Sequence, residues 1–598
     1  MKKTLIGLLI LPALLLSSCS LFTAIKETVE KEIMVYDLDN IPSNQDISKG
    51  YQDTINAQFV KGQDYIPYLT IEDYISLYLP HFKPSIESNV EVDGSSTVWT
   101  VSGHDGLVFV AEFNMTYRAL LLAGSLEEAY REDDNQQDLE ALNHAMETDY
   151  VAEERGSGYA SYYFSSIDCF KYEGKWYLPL GFYDIAFSGD TNLYYFYNYA
   201  HIFSTRDVEN YAYATFKENK TEYTVDSQMS ASKKDANMPE YLIKYNASLF
   251  IFLMNNFYGL KEYYGIDSMT LFYKNKVKLY NNLLSKNAAV RAQAYADALD
   301  VFDDNHTALV SANDTWGENK FANRLLENKF ANRLLSPGIR ERSLLRNTLN
   351  STRDAYYAHL FPNQEVEPGD EIIYSQDGKT AMYMFNSFEF TTGDVLHGND
   401  LEKLYKEDTF MNLVYRLNTI KNKGGVENVI LDISTNGGGV VGVMLKLLAL
   451  LSKNNKTKVT YKDGATGTIA SATCRVDTNS DDRYDALDSF GNTFNFYILT
   501  SDCSFSCANA FPCIAQLEGI AKIIGQKSGG GECAVAIHYL PNSQYVYHSS
   551  NIHLGYYDSD NKEFTGFEQG ATPDIEISNT DDFYDIEKLN SLIASAQK

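Results

Sequence analysis

The segment that most constrains this 598-residue chain is an apolar run followed at once by a polar turn and a helical pattern. Residues 494–500 are apolar and aromatic, as in a buried strand, and Ser501-Asp502-Cys503-Ser504 interrupt them. Small and apolar residues at helical spacing then run from Cys507 to Leu517. Ser506 stands where the turn becomes the helix, close to N–H groups and a helix dipole that stabilise an oxyanion. Its position also fits a serine that caps the helix.

The charge of the chain and its first residues restrict where it acts. The formal net charge of −30 argues against nucleic acid as a partner, since phosphate binding needs a basic surface. Lys2 and Lys3 precede an apolar run that is too short to span a bilayer. Leu16-Ser-Ser-Cys19 resembles a bacterial lipobox, which implies that residues 1–19 are a lipoprotein signal peptide. We therefore expect an extracytoplasmic protein of the cell envelope, anchored to the lipid bilayer through Cys19.

Composition shifts divide the rest of the chain. Residues 20–57 are polar and predict a tether, and residues 58–225 carry strand patterns typical of an α+β accessory domain. A charged stretch over 206–240 separates that domain from a helical subdomain over 240–345. Within the subdomain a nine-residue sequence is repeated in tandem over 318–335, which indicates a duplication in a tolerant surface segment.

Residues 370–580 have the pattern of an α/β layer. We predict a strand over 380–385, an amphipathic helix over 404–423 and a buried strand over 429–433. A glycine turn over 434–439 and a helix over 440–451 follow. Strands that alternate with helices in this way predict a mostly parallel sheet with right-handed crossovers.

Three segments of this region together resemble the C-terminal-processing (tail-specific) serine peptidase family. They are Ile430-Leu-Asp-Ile-Ser-Thr-Asn-Gly-Gly-Gly439, the turn over 499–511, and Gly570-Ala-Thr-Pro-Asp-Ile-Glu-Ile577. The resemblance implies a ClpP/crotonase-like catalytic core with Ser506 as the nucleophile. It also implies an oxyanion hole formed by the N–H of Cys507 and one N–H from Gly437-Gly438. No PDZ-like module is evident.

The general base is the point where the chain departs from the best-known branch of that family. That branch uses a lysine where this chain has Gly531, and Lys527 has no obvious apolar shell to lower its pKa. Asp303-Asp-Asn-His-Thr307 instead resembles the histidine signature of the tricorn-core-like branch, which implies His306 as the base. Glu568, just before the closing strand, matches the glutamate that orients this histidine.

Other interpretations of these residues stay open at this point. His306 alone fits a helix C-terminal cap, and Glu568 alone fits a surface carboxylate. His538 is a backup base, and Cys507 is a minor alternative to Ser506 as the nucleophile. Cys533 could form a disulfide with Cys503 or with Cys513, but spacing does not decide this.

Three functions are compatible with this pattern. The first is a membrane-tethered serine endopeptidase that hydrolyses peptide or protein substrates through a Ser506–His306–Glu568 triad. The second is a homologue without catalytic activity that binds peptides or assists envelope assembly. The third is a lipoprotein that binds a solute or glycan through its N-terminal half. No paired cysteine or histidine motif occurs, so we predict no cofactor and no metal.

Overall fold

The structure is a computed structural model, and it describes most but not all of the chain. The described residues are 27–37, 52–104, 106–126, 129, 141–191, 193–197, 202–205, 215–218, 221–224, 238–309, 337–362, 366–398, 400–541 and 545–597. The predicted signal peptide, Cys19, the tandem repeat over 318–335 and most of the charged stretch over 206–240 lie outside these residues. Within them, no helix combines the length and the apolar character that a membrane span requires.

Fifteen strands lie in the described part of the N-terminal half. They are β1 Thr28–Asp37, β2 Gln52–Val60, β3 Tyr68–Leu69, β4 Glu87–Asp93, β5 Ser96–Gly103, β6 Gly106–Asn114, β7 Ala119–Gly124, β8 Met146–Glu154, β9 Ala160–Tyr163, β10 Phe170–Tyr172, β11 Lys175–Pro179, β12 Tyr194–Tyr197, β13 Ile202–Thr205, β14 Thr215–Glu218 and β15 Thr221–Thr224. They build a seven-stranded sheet in the order β10-β11-β3-β2-β1-β13-β12 and a five-stranded sheet in the order β4-β5-β6-β7-β9. Among the described residues, strands β14 and β15 form a separate two-stranded sheet.

The C-terminal half supplies the remaining strands. They are β16 Ala308–Leu309, β17 Ile373–Tyr374, β18 Thr380–Met384, β19 Asn428–Asp432, β20 Thr457–Asp463, β21 Ile469–Val476, β22 Asn495–Thr500, β23 Ala521–Gly525, β24 Cys533–Tyr539, β25 Tyr545–Asp558, β26 Glu563–Gly566 and β27 Ile575–Glu576.

Thirteen α-helices lie within the described residues. They are α1 Ile71–Tyr78, α2 Leu180–Thr191, α3 Glu240–Phe257, α4 Met269–Asn275, α5 Val277–Leu283, α6 Ala288–Asp300, α7 Pro337–Leu360, α8 Gly393–Leu396, α9 Leu401–Glu407, α10 Thr409–Lys423, α11 Val441–Leu451, α12 Cys507–Leu517 and α13 Ile586–Ala596.

A six-stranded sheet forms the centre of the C-terminal half, in the order β17-β18-β19-β22-β23-β27. All its neighbouring strands are parallel except β17, which pairs with β18 in the antiparallel sense. The predicted α/β architecture of this region is thereby confirmed. Because β19 and β22 are neighbours, the glycine turn after β19 and the serine turn after β22 leave the sheet at the same edge.

Helices cover both faces of this sheet, which explains the continuous apolar runs of its strands. Val429 and Leu431 of β19 pack into a cluster with α10, α11 and α12. Ile430 of the same strand packs into a second cluster with α7 and α13. Burial on both faces holds the sheet rigidly, so the turns at its edge have fixed positions.

A second seven-stranded sheet connects the distant parts of the chain. Its centre is β25, which pairs with β16, β20, β24 and β26. Strand β8, from the N-terminal half, extends the same sheet by pairing with β21. This sheet therefore fixes the segment before β16 relative to the C-terminal half.

The structure divides one predicted helix in two. The apolar pattern over 404–423 is split into α9 and α10 because Asp408 accepts a hydrogen bond from Met411 N and caps α10. Strands β10 and β11 form an antiparallel hairpin. Glu173 and Gly174 both have positive φ there, as a two-residue hairpin turn requires.

Candidate active site

Ser506 occupies a strained bend between β22 and α12. Its φ of 58° and ψ of −125° are costly for a residue with a side chain, by about 1–3 kcal/mol. Its backbone N–H donates to Gly530 O at 2.9 Å, and its carbonyl accepts from Ala510 N at 2.9 Å. A strained strand-to-helix turn of this kind presents a serine hydroxyl to a substrate. Ser506 is the N-cap residue of α12 by position, but its side chain makes no capping hydrogen bond, so the hydroxyl does not cap the helix.

Two buried hydroxyl groups anchor the serine turn to the neighbouring glycine turn. Ser504 Oγ donates to Ile433 O at 2.8 Å, and Ser501 Oγ donates to Ser434 O at 2.5 Å. Phe505 N then donates to Asn436 O at 3.2 Å. These bonds compensate for the strain at Ser506 because they fix the backbone on its N-terminal side.

The glycine turn lies directly against Ser506. Gly438 has a φ of +114°, and a Cβ added there would lie 2.7 Å from Ser506 Cβ and 3.1 Å from Cys507 N. Asn436 shapes this turn, because its Oδ1 accepts the N–H of Gly438 at 2.8 Å. The Gly438 N–H is therefore occupied. Gly437 is exposed, and its N–H has no acceptor among the described residues, so of these two N–H groups the one of Gly437 remains available to a substrate.

His306 lies in a tight loop between α6 and β16. Asp304 shapes this loop, because its Oδ1 accepts from His306 N at 2.9 Å and its Oδ2 accepts from Thr307 Oγ1 at 2.6 Å. Strand β16 then attaches the loop to β25. Helix α6 already ends at Asp300 with Val301 as its cap, so His306 is not a helix cap.

The surroundings of the His306 ring suit a general base. The ring contacts the Phe505 ring edge to face, with 4.7 Å between centroids. Its Nδ1 is buried and has no hydrogen-bond partner among the described residues. Burial lowers the pKa of His306 below its usual value, although the Asp304 carboxylate opposes this shift. The imidazole is therefore neutral near pH 7 and able to accept a proton.

Glu568 is a half-buried carboxylate and not a surface one. Its Oε2 accepts hydrogen bonds from Gly531 N at 3.0 Å and from Glu532 N at 2.9 Å. Burial raises the pKa of Glu568 to about 7, although these hydrogen bonds oppose the shift. A carboxylate held at this pKa is typical of a functional site.

The segment Gly530-Gly531 lies next to Ser506 and Glu568 and next to Phe505, which contacts His306. Gly530 O accepts from Ser506 N, and a Cβ added to Gly530 would lie 3.2 Å from Glu568 Oε1. A Cβ added to Gly531 would lie 2.6 Å from the Phe505 ring, which also contacts His306. Phe505 therefore fills the space beside residue 531, which is the position of the lysine base in the other branch. This packing gives a physical reason for glycine at 531.

Sequence reasoning missed two arginines of α7 that lie beside the serine turn. Arg342 Nη2 lies 3.0 Å from Asp303 Oδ1, and Arg342 Nη1 lies 3.9 Å from Asp502 Oδ2. Arg342 thus links the histidine loop to the serine turn. Arg346 Nη2 lies 3.4 Å from Cys503 O and 3.8 Å from the position of a Cβ on Gly437. The helical pattern of α7 gives no signal for these roles, because they depend on which turn the helix crosses.

The alternative site residues lie in unsuitable surroundings. The Cys507 thiol is buried and donates to Gly439 O at 3.0 Å, and burial raises its pKa to about 12, so it stays protonated near pH 7. His538 is fully buried against His548, with 2.9 Å between Nδ1 and Nε2. Lys527 is exposed. Cys503, Cys513 and Cys533 are free thiols, so neither of the two disulfides considered above is formed.

A comparison with known protein families matches the C-terminal part of the chain. The model of the family described as peptidase family S41 matches residues 401–577, which include Ser506, Gly437 and Glu568. No curated protein matches the chain.

The solved structures that match this chain include three proteins of low sequence identity. A candidate peptidase from Parabacteroides merdae is 18% identical with a TM-score of 0.39, over 59% of this chain and 96% of that chain. Mature CPAF is 11% identical with a TM-score of 0.36, over 60% of this chain and 97% of that chain. A lipoprotein from Streptococcus agalactiae is 12% identical with a TM-score of 0.32, over 61% and 99%.

Proposed function

Residues 401–577 form a peptidase family S41 domain, and from this premise we propose that the protein is a serine endopeptidase with Ser506 as its nucleophile. The observation that carries the proposal is the strained bend at Ser506, which spares the hydroxyl from helix capping. A strained conformation persists only where its surroundings hold it, and such conformations cluster at active sites.

In the proposed mechanism, Ser506 Oγ attacks the carbonyl carbon of a peptide bond while His306 removes the proton from Oγ. The resulting oxyanion accepts hydrogen bonds from Cys507 N and Gly437 N. His306 then donates the proton to the leaving amine, and an acyl-enzyme remains. Water activated by the same imidazole releases the acid product.

Glu568 is assigned to the orientation of His306 in this mechanism. If Nε2 of His306 takes the serine proton, Nδ1 carries a hydrogen in both the neutral and the charged ring and needs an acceptor. Glu568 is a carboxylate that borders the same Gly530-Gly531 segment. Asp304 is the second candidate, because its carboxylate already holds the histidine loop and opposes the burial that lowers the pKa of His306.

Covalent labelling with a fluorophosphonate tests the proposal. We expect the wild-type chain to be labelled, Ser506→Ala to lose the label, and Ser591→Ala, at an exposed serine of α13, to keep it as the matched control. A wild-type chain that is folded but takes up no label contradicts the peptidase proposal. That result would favour the second function, peptide binding without catalysis.

Localisation is a separate proposal. We propose that Cys19 is lipidated and tethers the peptidase outside the cytoplasm, because Leu16-Ser-Ser-Cys19 resembles a lipobox. Expression in a bacterial host with an alkyne fatty acid should label the wild-type chain and not Cys19→Ala. Equal labelling of both chains would contradict the proposal.

A further inference from the structure

A cluster of three metal-ligating side chains lies outside the proposed triad. Cys533 of β24 and His553 of β25 are direct partners in the antiparallel register, and Glu532 immediately precedes β24. Suitable ligand atoms of the three residues all lie within 4.8 Å of one another. The sequence gives no metal motif here because the two strands bring together residues that are 20 positions apart.

The distances within the cluster suit a small tetrahedral ion. His553 Nδ1 lies 2.7 Å from Glu532 Oε1 and 3.5 Å from Cys533 Sγ. Bonds of about 2.0–2.3 Å to zinc separate neighbouring ligands by roughly 3.3–3.7 Å in a tetrahedral arrangement. The nitrogen and the sulfur already have this separation, and a shift of about half an ångström opens the carboxylate contact.

The chemistry of the cluster favours zinc over calcium or magnesium. A thiolate, an imidazole and a carboxylate together are a zinc ligand set, whereas calcium and magnesium prefer oxygen ligands. Cys533 is a free thiol and is almost wholly buried, so the surrounding atoms fix the position of its sulfur beside the other two side chains.

A cavity of about 370 Å³ gives an ion access to the cluster. Its lining includes Glu532, His553, Asn551, Gly464, Lys462 and Phe564. The Lys462 ammonium group lies 5.8 Å from the Phe564 ring centroid, so it is drawn toward that ring. A water molecule from the cavity can complete four-fold coordination.

We propose that Glu532, Cys533 and His553 form a zinc site with one open position toward this cavity. The site borders the proposed triad, because Glu568 N donates to Glu532 Oε2 at 2.8 Å and Glu532 N donates to Glu568 Oε2. Zinc bound to Glu532 is therefore linked to Glu568 through these two hydrogen bonds. Metal binding itself does not depend on the peptidase activity, so the two proposals are tested separately.

Cobalt(II) is the probe for this site because a thiolate ligand gives it a charge-transfer band in the near ultraviolet. The full-length chain is treated with a chelator, dialysed and titrated with cobalt(II), and zinc(II) is then added. We expect one equivalent of cobalt(II) to produce the band and zinc(II) to abolish it. A wild-type chain that binds no cobalt(II) and no zinc(II) overturns the proposal.

Two variants and two controls locate the binding. We expect Cys533→Ser to lose the band and His553→Gln, whose side chain is 14% exposed, to lose stoichiometric binding without loss of fold. Two controls should keep both the band and stoichiometric binding. They are Cys513→Ser, at another buried free thiol, and His359→Gln, at an exposed histidine of α7. A band of unchanged intensity in Cys533→Ser places the metal elsewhere and also overturns the proposal. Fluorophosphonate labelling of the metal-free chain reports on the peptidase proposal independently.

Discussion

At the scale of single residues, the site depends on a few backbone positions that tolerate no side chain. Gly438 and Gly531 both have positive φ, and both lie where a Cβ would collide with a residue of the serine turn. The glycines are therefore required by the close approach of two chain segments as well as by their own conformation.

Gly438→Ala should abolish activity while the fold persists. The new Cβ would lie 2.7 Å from Ser506 Cβ and would displace the serine from the oxyanion donors. Loss of one such donor costs about 10²–10³ in rate, so the labelling rate should fall by at least about 100-fold. Gly424→Ala is the matched control, because Gly424 also has positive φ but has no atom within 4 Å of its Cβ position. Equal labelling rates for the two variants would contradict this account.

Glu568→Gln tests the assignment of the residue that orients His306. The change preserves the size of the side chain but removes the charge by which the ionised carboxylate stabilises the imidazolium. Above the Glu568 pKa of about 7 we therefore expect kcat to fall by about 10²–10⁴. The measurement is the steady-state rate of peptide hydrolysis, with Glu563→Gln on exposed β26 as the control. If Asp304→Asn loses more activity than Glu568→Gln while remaining folded, the orienting role belongs to Asp304.

At the scale of secondary-structure elements, the site is assembled from parts that the chain supplies far apart. The serine turn follows β22, the glycine turn follows β19, and the histidine loop precedes β16 in the other sheet. Helix α7 crosses between them, and its Arg342 side chain, which is 13% exposed, contacts Asp303 and Asp502. This arginine joins the two sheets where the proposed base and nucleophile must meet.

Arg342→Gln should therefore lower activity more than stability. Loss of the link allows the histidine loop to shift relative to Ser506. We expect kcat/KM to fall about tenfold, which corresponds to about 1.4 kcal/mol. The rates of fluorophosphonate labelling and peptide hydrolysis measure the effect. Arg475→Gln, which removes an ion pair to Glu147, is the control and should leave both rates unchanged. Equal loss in the two variants would contradict a specific role for Arg342.

At the scale of the whole molecule, the two halves of the chain share one folded unit. Strand β8 of the N-terminal half completes a sheet of the C-terminal half, and Tyr194 Oη donates to Ile537 O of β24 at 2.8 Å. The buried pair His538 and His548 lies in this shared region, with the His538 ring against Phe257 of α3.

The histidine pair should make the protein less stable in acid. Burial lowers the pKa of His548 to about 4 and lowers that of His538 well below its usual value. In the unfolded chain both histidines bind protons near pH 6.5, whereas in the folded chain they stay neutral to lower pH. The free energy of unfolding is therefore unaffected by them above about pH 6.5 and decreases as the pH falls below it. For His548 alone the loss between pH 6.5 and about 4 is about 3 kcal/mol.

Urea denaturation at several pH values measures this dependence. The free energy of unfolding of the wild type should fall steeply below pH 6.5, and His548→Asn should show a shallower fall. His359→Gln, an exposed histidine, should follow the wild type. Parallel curves for wild type and His548→Asn would show that other groups determine the loss.

The sequence by itself determined the local chemistry of this protein. The succession of apolar strand, turn and helix around Ser506 predicted the bend, because apolar periodicity and turn residues act over short distances. The resemblance of three short segments to one peptidase family predicted the α/β core, and the structure has that core. Local pattern also explains the one divided helix, since Asp408 is an ordinary N-cap residue.

Only the tertiary structure decided which of these groups meet. It assigned the Gly438 N–H to Asn436, filled the space beside Gly531 with Phe505, and placed Arg342 between Asp303 and Asp502. It also paired Cys533 with His553 across two strands. Each of these contacts depends on strand register and on the crossing of a helix over a turn. Those relations are fixed by burial of apolar surface between distant segments, and no stretch of sequence expresses them alone.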